Sequence, residues 1–126
     1  MLQLGLSQHK IVKWIIEVAA LSDAQIIQFS ALIKNCIMAH FDEASYKNVF
    51  VKSSTGFFKT ENNLPNGATV AAIQLMIENA SPLPVKAAGG VRNFEEAQQM
   101  IRLGVKRIGT SAAKSISLGA VSDSEY

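Results

Sequence analysis

Apolar residues fall in four short bursts along the chain, and after each burst they recur every third or fourth position. The first burst is IVKWIIEVAAL, Ile11 to Leu21, and it ends at Ser22. Ser22 with Gln25 three residues on predicts a capping box, because hydroxyl and amide can each satisfy the other's orphan backbone N–H. Ile26, Ile27, Phe29, Ile33 and Ile37 then line one side at helical spacing. The second burst, NVFVK, leads into a polar loop from Thr60 to Gly67 whose Asn-Asn, Pro65 and Asn66-Gly67 are turn signals. Thr69 is placed to cap a helix carrying Val70, Ile73, Met76 and Ile77.

SPLP breaks that helix, and VKAAGG follows as a third strand with its turn. Asn93 and Glu96 form another capping pair, and Gly104 stops a helix whose apolar positions are Phe94, Ala97, Met100, Ile101 and Leu103. VKRIG, Val105 to Gly109, is the fourth strand. A short helix from about Ala112 leads to the polar tail VSDSEY, and residues 120–126 are expected to be flexible. The approach IKNCIMAHFDEASYKN to the second strand is long and polar, which predicts an extended helix-to-strand loop.

Strand then helix, repeated, implies an α/β fold of parallel strands joined by right-handed crossovers. Two architectures satisfy the pattern: a small doubly wound sheet, or part of a (β/α)8 TIM barrel. A complete barrel takes roughly 250 residues, and this chain has 126, a single domain at most.

Composition narrows the picture. An apolar fraction of 48% is rich for so short a chain and suits a subunit or a piece of something larger. The net charge of +2 is dispersed, giving no argument for a nucleic-acid or membrane partner. Cys36 stands alone, so there is no disulfide framework or thiol metal site. No run is long enough to span a bilayer, and MLQLGLSQHK lacks a cationic segment before a hydrophobic one, so a reducing, cytoplasmic setting is expected.

Chemistry gathers where strands end. Lys52 closes the second strand and enters a turn of Ser53, Ser54, Thr55 and Gly56; Lys86 lies in the third strand, and Gly109-Thr110-Ser111 closes the fourth. In parallel α/β folds the carboxyl ends of strands form the ligand-binding face. Two ammonium groups about 6 Å apart, at an effective dielectric of about 20, repel by on the order of 3 kcal/mol. Repulsion with partial desolvation would leave one amine neutral enough to attack a carbonyl and form a Schiff base. The alternative is that both lysines snorkel from strand ends into water. In AAGGVR, Gly89 and Gly90 stand between a strand and a capped helix, and Ser111 in IGTSAAK repeats the arrangement. Both turns suit an anion near a helix start, or are simply tight connections.

FVKSSTGF, GATV, VKAAGGVR and RIGTS, in this order, resemble the second half of deoxyribose-phosphate aldolase, a class I aldolase, from about Lys10 to the C-terminus. The resemblance implies half of a (β/α)8 barrel, four parallel βα units. It also implies reversible cleavage of 2-deoxy-D-ribose 5-phosphate, a phosphosugar, to acetaldehyde and glyceraldehyde 3-phosphate, with no metal or organic cofactor. By the same resemblance Lys52 is the Schiff-base lysine, and Lys86 lowers its pKa and joins the proton relay. Gly89, Gly90, Gly109 and Ser111 fall in phosphate-binding loops, and Ser53, Thr55 and Gly56 in the turn beside the nucleophile. Tyr126 is the counterpart of a terminal tyrosine that reaches the active site. The family's earlier strands carry a catalytic aspartate that has no counterpart here, and Ala112 replaces a serine after Ser111.

Other residues carry less. His9 and His40 lack partners at ligand spacing, so no metal site is expected. Cys36 between Ile33 and Ile37 reads as core, and Glu17 as a stand-in base facing the pocket or an ion-pair partner of Lys13 or Arg92. Two readings remain: an aldolase acting through an imine on Lys52, or a non-catalytic half barrel that holds phosphate. Two open edges and an apolar inner face predict a homo-oligomer or a partner chain completing the barrel.

Overall fold

The four apolar bursts become four parallel strands arranged in sequence order, β1-β2-β3-β4. The computed structural model describes residues 2–119; Tyr126 and the tail 120–126 lie outside them. In chain order the elements are α1 (Leu2–Ser7), β1 (Val12–Ile15), a 3-10 turn (Val18–Ala20), α2 (Asp23–His40), α3 (Glu43–Tyr46), β2 (Val49–Lys52), α4 (Val70–Ala80), β3 (Val85–Ala88), α5 (Phe94–Leu103), β4 (Arg107–Gly109) and α6 (Ala113–Ser117).

Each long helix begins where its cap requires. Ser22 Oγ accepts from Gln25 N while the Gln25 side chain accepts from Ser22 N, closing the capping box of α2. Thr69 Oγ1 accepts from Ala72 N at the start of α4, and Asn93 Oδ1 accepts from Glu96 N at the start of α5. Gly104 ends α5 at φ 109°, a left-handed turn that costs a glycine little.

Side chains alternate across a strand, so register divides the sheet into two faces. Val51 lies opposite Val85, and with Val49 and Ala87 it packs on Ile26 and Ile37 of α2 and Ile73 and Met76 of α4. The other face carries Lys13, Ile15, Phe50, Lys52, Lys86 and Arg107, in the pairings Lys13–Phe50, Ile15–Lys52, Lys52–Lys86 and Lys86–Arg107. The Arg107 guanidinium lies 4.9 Å from the centre of the Phe50 ring and covers part of it.

The structure departs from the sequence reading in three places. The polar approach to β2 is not an extended loop: α2 runs on to His40, and α3 takes up most of the remainder. β4 is shorter at its start, because Val105 N donates back to Met100 O in the closing turn of α5. The unanticipated α1 sets Leu2 and Leu6 partly into the core. Its Gly5 lies so close to β1 that a Cβ there would come within 2.8 Å of Val12 Cγ2.

Candidate active site

Lys52 is the last residue of β2, and register sets it beside Lys86 of β3 on the face opposite the helices. Both are half-buried. Burial first, then the charges of Lys52, Lys13 and Arg107, push the Lys86 ammonium below the ordinary lysine range. Among the described residues the charges that act on Lys86 are those of cations. Gly109 leaves room for this side chain: a Cβ there would stand 2.9 Å from Lys86 Cε and 3.4 Å from Nζ.

The hydroxyls after Lys52 point into the scaffold. Ser53 is fully buried, and its Oγ donates to Ala88 O at 2.7 Å and accepts from Ala88 N at 2.9 Å, joining the ends of β2 and β3. Ser54 is also fully buried; its one hydroxyl proton is shared between Glu17 Oε1 at 2.8 Å and Asn66 O at 2.9 Å, and its Oγ accepts from Gly56 N at 2.8 Å. Thr55 Oγ1 donates to Glu17 Oε2 at 2.6 Å and accepts from Phe57 N at 3.2 Å. Gly56 takes φ 85°, which lets the chain turn away after them.

Glu17 is therefore not the pocket-facing base or ion-pair partner expected from the sequence. Its carboxylate is taken up by Ser54 and Thr55, while the backbone N–H of Arg92 goes to Glu96 Oε2. Nothing in the local sequence marks this role, because its partners stand 37 and 38 residues away. Cys36 is also corrected: it is exposed on α2, since the buried stripe of that helix passes through Ile26, Ser30 and Ile37 instead.

The two glycine-bearing turns meet. Gly89 and Gly90 take φ 86° and 84°, and Thr110 Oγ1 donates to Val91 O at 2.6 Å, tying the loop after β4 to the turn after β3. Ser111 lies in that loop, exposed, just before α6. The loop after β2 closes on the same place: Ala68 N donates to Gly89 O at 2.7 Å. Beside them a cleft of ≈ 990 Å³ opens between residues 56–70 and the start of α5, with Gly89, Gly90 and Arg92 on its wall. Neither lysine lines this cleft. Among the described residues no cluster of His, Cys, Asp and Glu could hold a metal ion, and no helix is long and apolar enough to cross a membrane.

Comparison with known proteins gives a consistent set of relatives. The chain is 41% identical over 97 residues to a deoxyribose-phosphate aldolase of Exiguobacterium sibiricum, covering 75% of this chain and 44% of that protein. It is 40% identical over 123 residues to a deoxyribose-phosphate aldolase of Staphylococcus saprophyticus, covering 97% of this chain and 49% of that protein. The solved aldolase QR15 superposes with a TM-score of 0.63 at 36% identity, over 84% of this chain and 41% of its own. The chain thus spans about half the length of the curated relatives it matches. No protein-family model matches it.

Proposed function

From the premise that this chain is homologous, over about half their length, to proteins named deoxyribose-phosphate aldolase, we propose that it carries the amine half of a class I aldolase site acting on 2-deoxy-D-ribose 5-phosphate. The observation that carries the reading is the lysine pair: Lys52 and Lys86 in register on one face, with Lys86 held below the ordinary lysine range by burial and by Lys52. An amine at Lys86 that gives up its proton readily can take the one that Lys52 Nζ must shed before it attacks a carbonyl.

In this reading Lys52 Nζ adds to the aldehyde carbon of the open-chain sugar, Lys86 passes a proton to the carbinolamine oxygen, and water leaves to give an iminium. A base takes the proton of the C3 hydroxyl, the C2–C3 bond breaks into the iminium, and glyceraldehyde 3-phosphate departs. Proton return to the enamine carbon and hydrolysis release acetaldehyde and restore the amine. Lys86 works beside Lys52 as a proton carrier, and the Gly89–Gly90 and Gly109–Ser111 turns take the phosphate. The hydroxyls of Ser53 and Thr55 serve by fixing the turn, since their bonds are already committed to Ala88 and Glu17.

The partner follows from charge. Lys13, Lys52, Lys86 and Arg107 share one face, and among the described residues the charges acting on Lys86 are cationic. A second copy seated there would set like charges against like, which costs affinity. The occupant this face fits is a chain completing the barrel and bringing carboxylates to the lysines. The second reading, a half barrel that holds phosphate without turnover, is favoured by the cationic surroundings of Lys86 among the described residues.

Borohydride trapping with acetaldehyde, read by intact mass, tests the proposal. One ethyl adduct on the wild-type chain, lost in Lys52→Ala, is expected; no adduct at neutral pH leaves the second reading standing.

A further inference from the structure

The lysine chemistry leaves one carboxylate unaccounted for. Glu17 follows β1 with its backbone at φ 56° and ψ 66°, a left-handed conformation uncommon for a residue with a side chain. That geometry folds the carboxylate over the turn after Lys52. Oε1 accepts from Ser54 Oγ at 2.8 Å; Oε2 accepts from Thr55 N at 3.1 Å and Thr55 Oγ1 at 2.6 Å. Backbone bonds on either side hold the same junction, from Ile16 N to Lys52 O at 3.1 Å and from Val18 N to Ser53 O at 2.8 Å.

Contacts continue outward from there. Ser54 Oγ, which Glu17 binds, also lies 2.9 Å from Asn66 O. The next residue, Gly67, is pressed so closely between strands that a Cβ would meet Ala88 O at 2.2 Å, Gly89 Cα at 2.8 Å and Ser54 Cβ at 2.9 Å. A continuous path therefore runs from Glu17 through Ser54 and Asn66–Ala68 to Gly89, the first of the paired positive-φ glycines.

We propose that Glu17 is a positioning residue: its carboxylate clamps the Ser54–Gly56 turn and, through Ser54 and Gly67, sets the Gly89–Gly90 turn that receives the phosphate of the substrate. What the turn binds rests on the aldolase reading; the clamp itself does not. An ionised carboxylate suits the place because it accepts only, and three donors converge on it. A glutamine of the same size would aim an N–H at one of those donors. With its oxygens engaged in this way, Glu17 is not the base of the reaction.

The test uses Glu17→Gln, with Thr55→Val as a second variant that removes one donor, and Thr55→Ser as the one that keeps it. Imine trapping is measured with acetaldehyde, with 2-deoxyribose and with 2-deoxyribose 5-phosphate. Losing a hydrogen bond to a charged group corresponds to about a ten- to hundredfold effect. Glu17→Gln is therefore expected to raise the half-saturating concentration of the phosphorylated sugar at least about tenfold more than that of the unphosphorylated one. Thr55→Val shifts it in the same direction, and Thr55→Ser restores it. Equal losses on all three probes, or no loss, overturn the proposal.

Amide hydrogen exchange separates this proposal from the aldolase reading. If the wild-type chain traps no acetaldehyde, the aldolase reading fails. The clamp is then judged by exchange at the Thr55, Gly56 and Gly89 amides, expected to be about tenfold faster in Glu17→Gln. Unchanged exchange at those three amides overturns the clamp on its own.

Discussion

Replacing Ser53 by alanine separates a scaffold hydroxyl from a substrate-binding one. Ser53 has no exposed surface, and its single oxygen makes two bonds, 2.7 Å to Ala88 O and 2.9 Å from Ala88 N. Ser53→Ala deletes both and leaves two main-chain groups of a fully buried residue without that partner. A neutral hydrogen bond contributes about 1 kcal/mol net, and an unsatisfied buried group costs about 1–3 kcal/mol, so the loss is about 2–4 kcal/mol. Urea denaturation followed by circular dichroism reads it as a lower midpoint at unchanged slope. Ser7→Ala, which removes an exposed bond of 2.9 Å to Leu4 O, serves as the control and stays within about 0.5 kcal/mol. If Ser53→Ala costs no more than that control, the hydroxyl does not hold β2 to β3, and the reasoning that commits it to the scaffold is wrong.

Gly109→Ala places a methyl 2.9 Å from Lys86 Cε. The flexible end of that lysine yields, so the fold keeps most of its stability, but acetaldehyde trapping slows at least about tenfold, since a 1 Å misplacement can cost about 100-fold. A variant that traps at the wild-type rate shows that the amine does not need that space. Lys86→Met tests linkage. The folded state holds the Lys86 proton less tightly than the unfolded chain, so the wild type carries a penalty at neutral pH. That penalty fades as pH rises through the depressed folded value toward the ordinary value near 10.4. The variant should be more stable than wild type at pH 7, with the gap closing in alkali; a gap that widens with pH refutes the assignment.

Much of the fold is legible in the chain because its signals are local. Ser22 with Gln25, Thr69 and Asn93 mark helix starts within a single turn and cap them as read, except that the Glu96 side chain accepts from Arg92 N instead of closing a box on Asn93 N. Lys52 and Lys86 could be paired from sequence because consecutive parallel strands lie side by side. What stayed hidden depends on distant partners. Glu17 meets Ser54 and Thr55 only after β1 and β2 align, and α1 is held by packing of Leu2 and Leu6 rather than by its own propensity. Cys36 is exposed because an apolar neighbourhood in sequence is not a buried stripe. Across half a turn of helix those are different things.

The central claim is that burial, and with it the crowding of Lys52, Lys13 and Arg107, weakens the hold of Lys86 on its proton. NMR titration of isotope-labelled lysine side chains, in the wild-type chain and in Lys52→Met, measures it directly. The account predicts a Lys86 resonance that titrates below the other lysines and moves up toward them when the Lys52 charge is removed. A Lys86 resonance that titrates with the exposed lysines, unmoved by Lys52→Met, contradicts it.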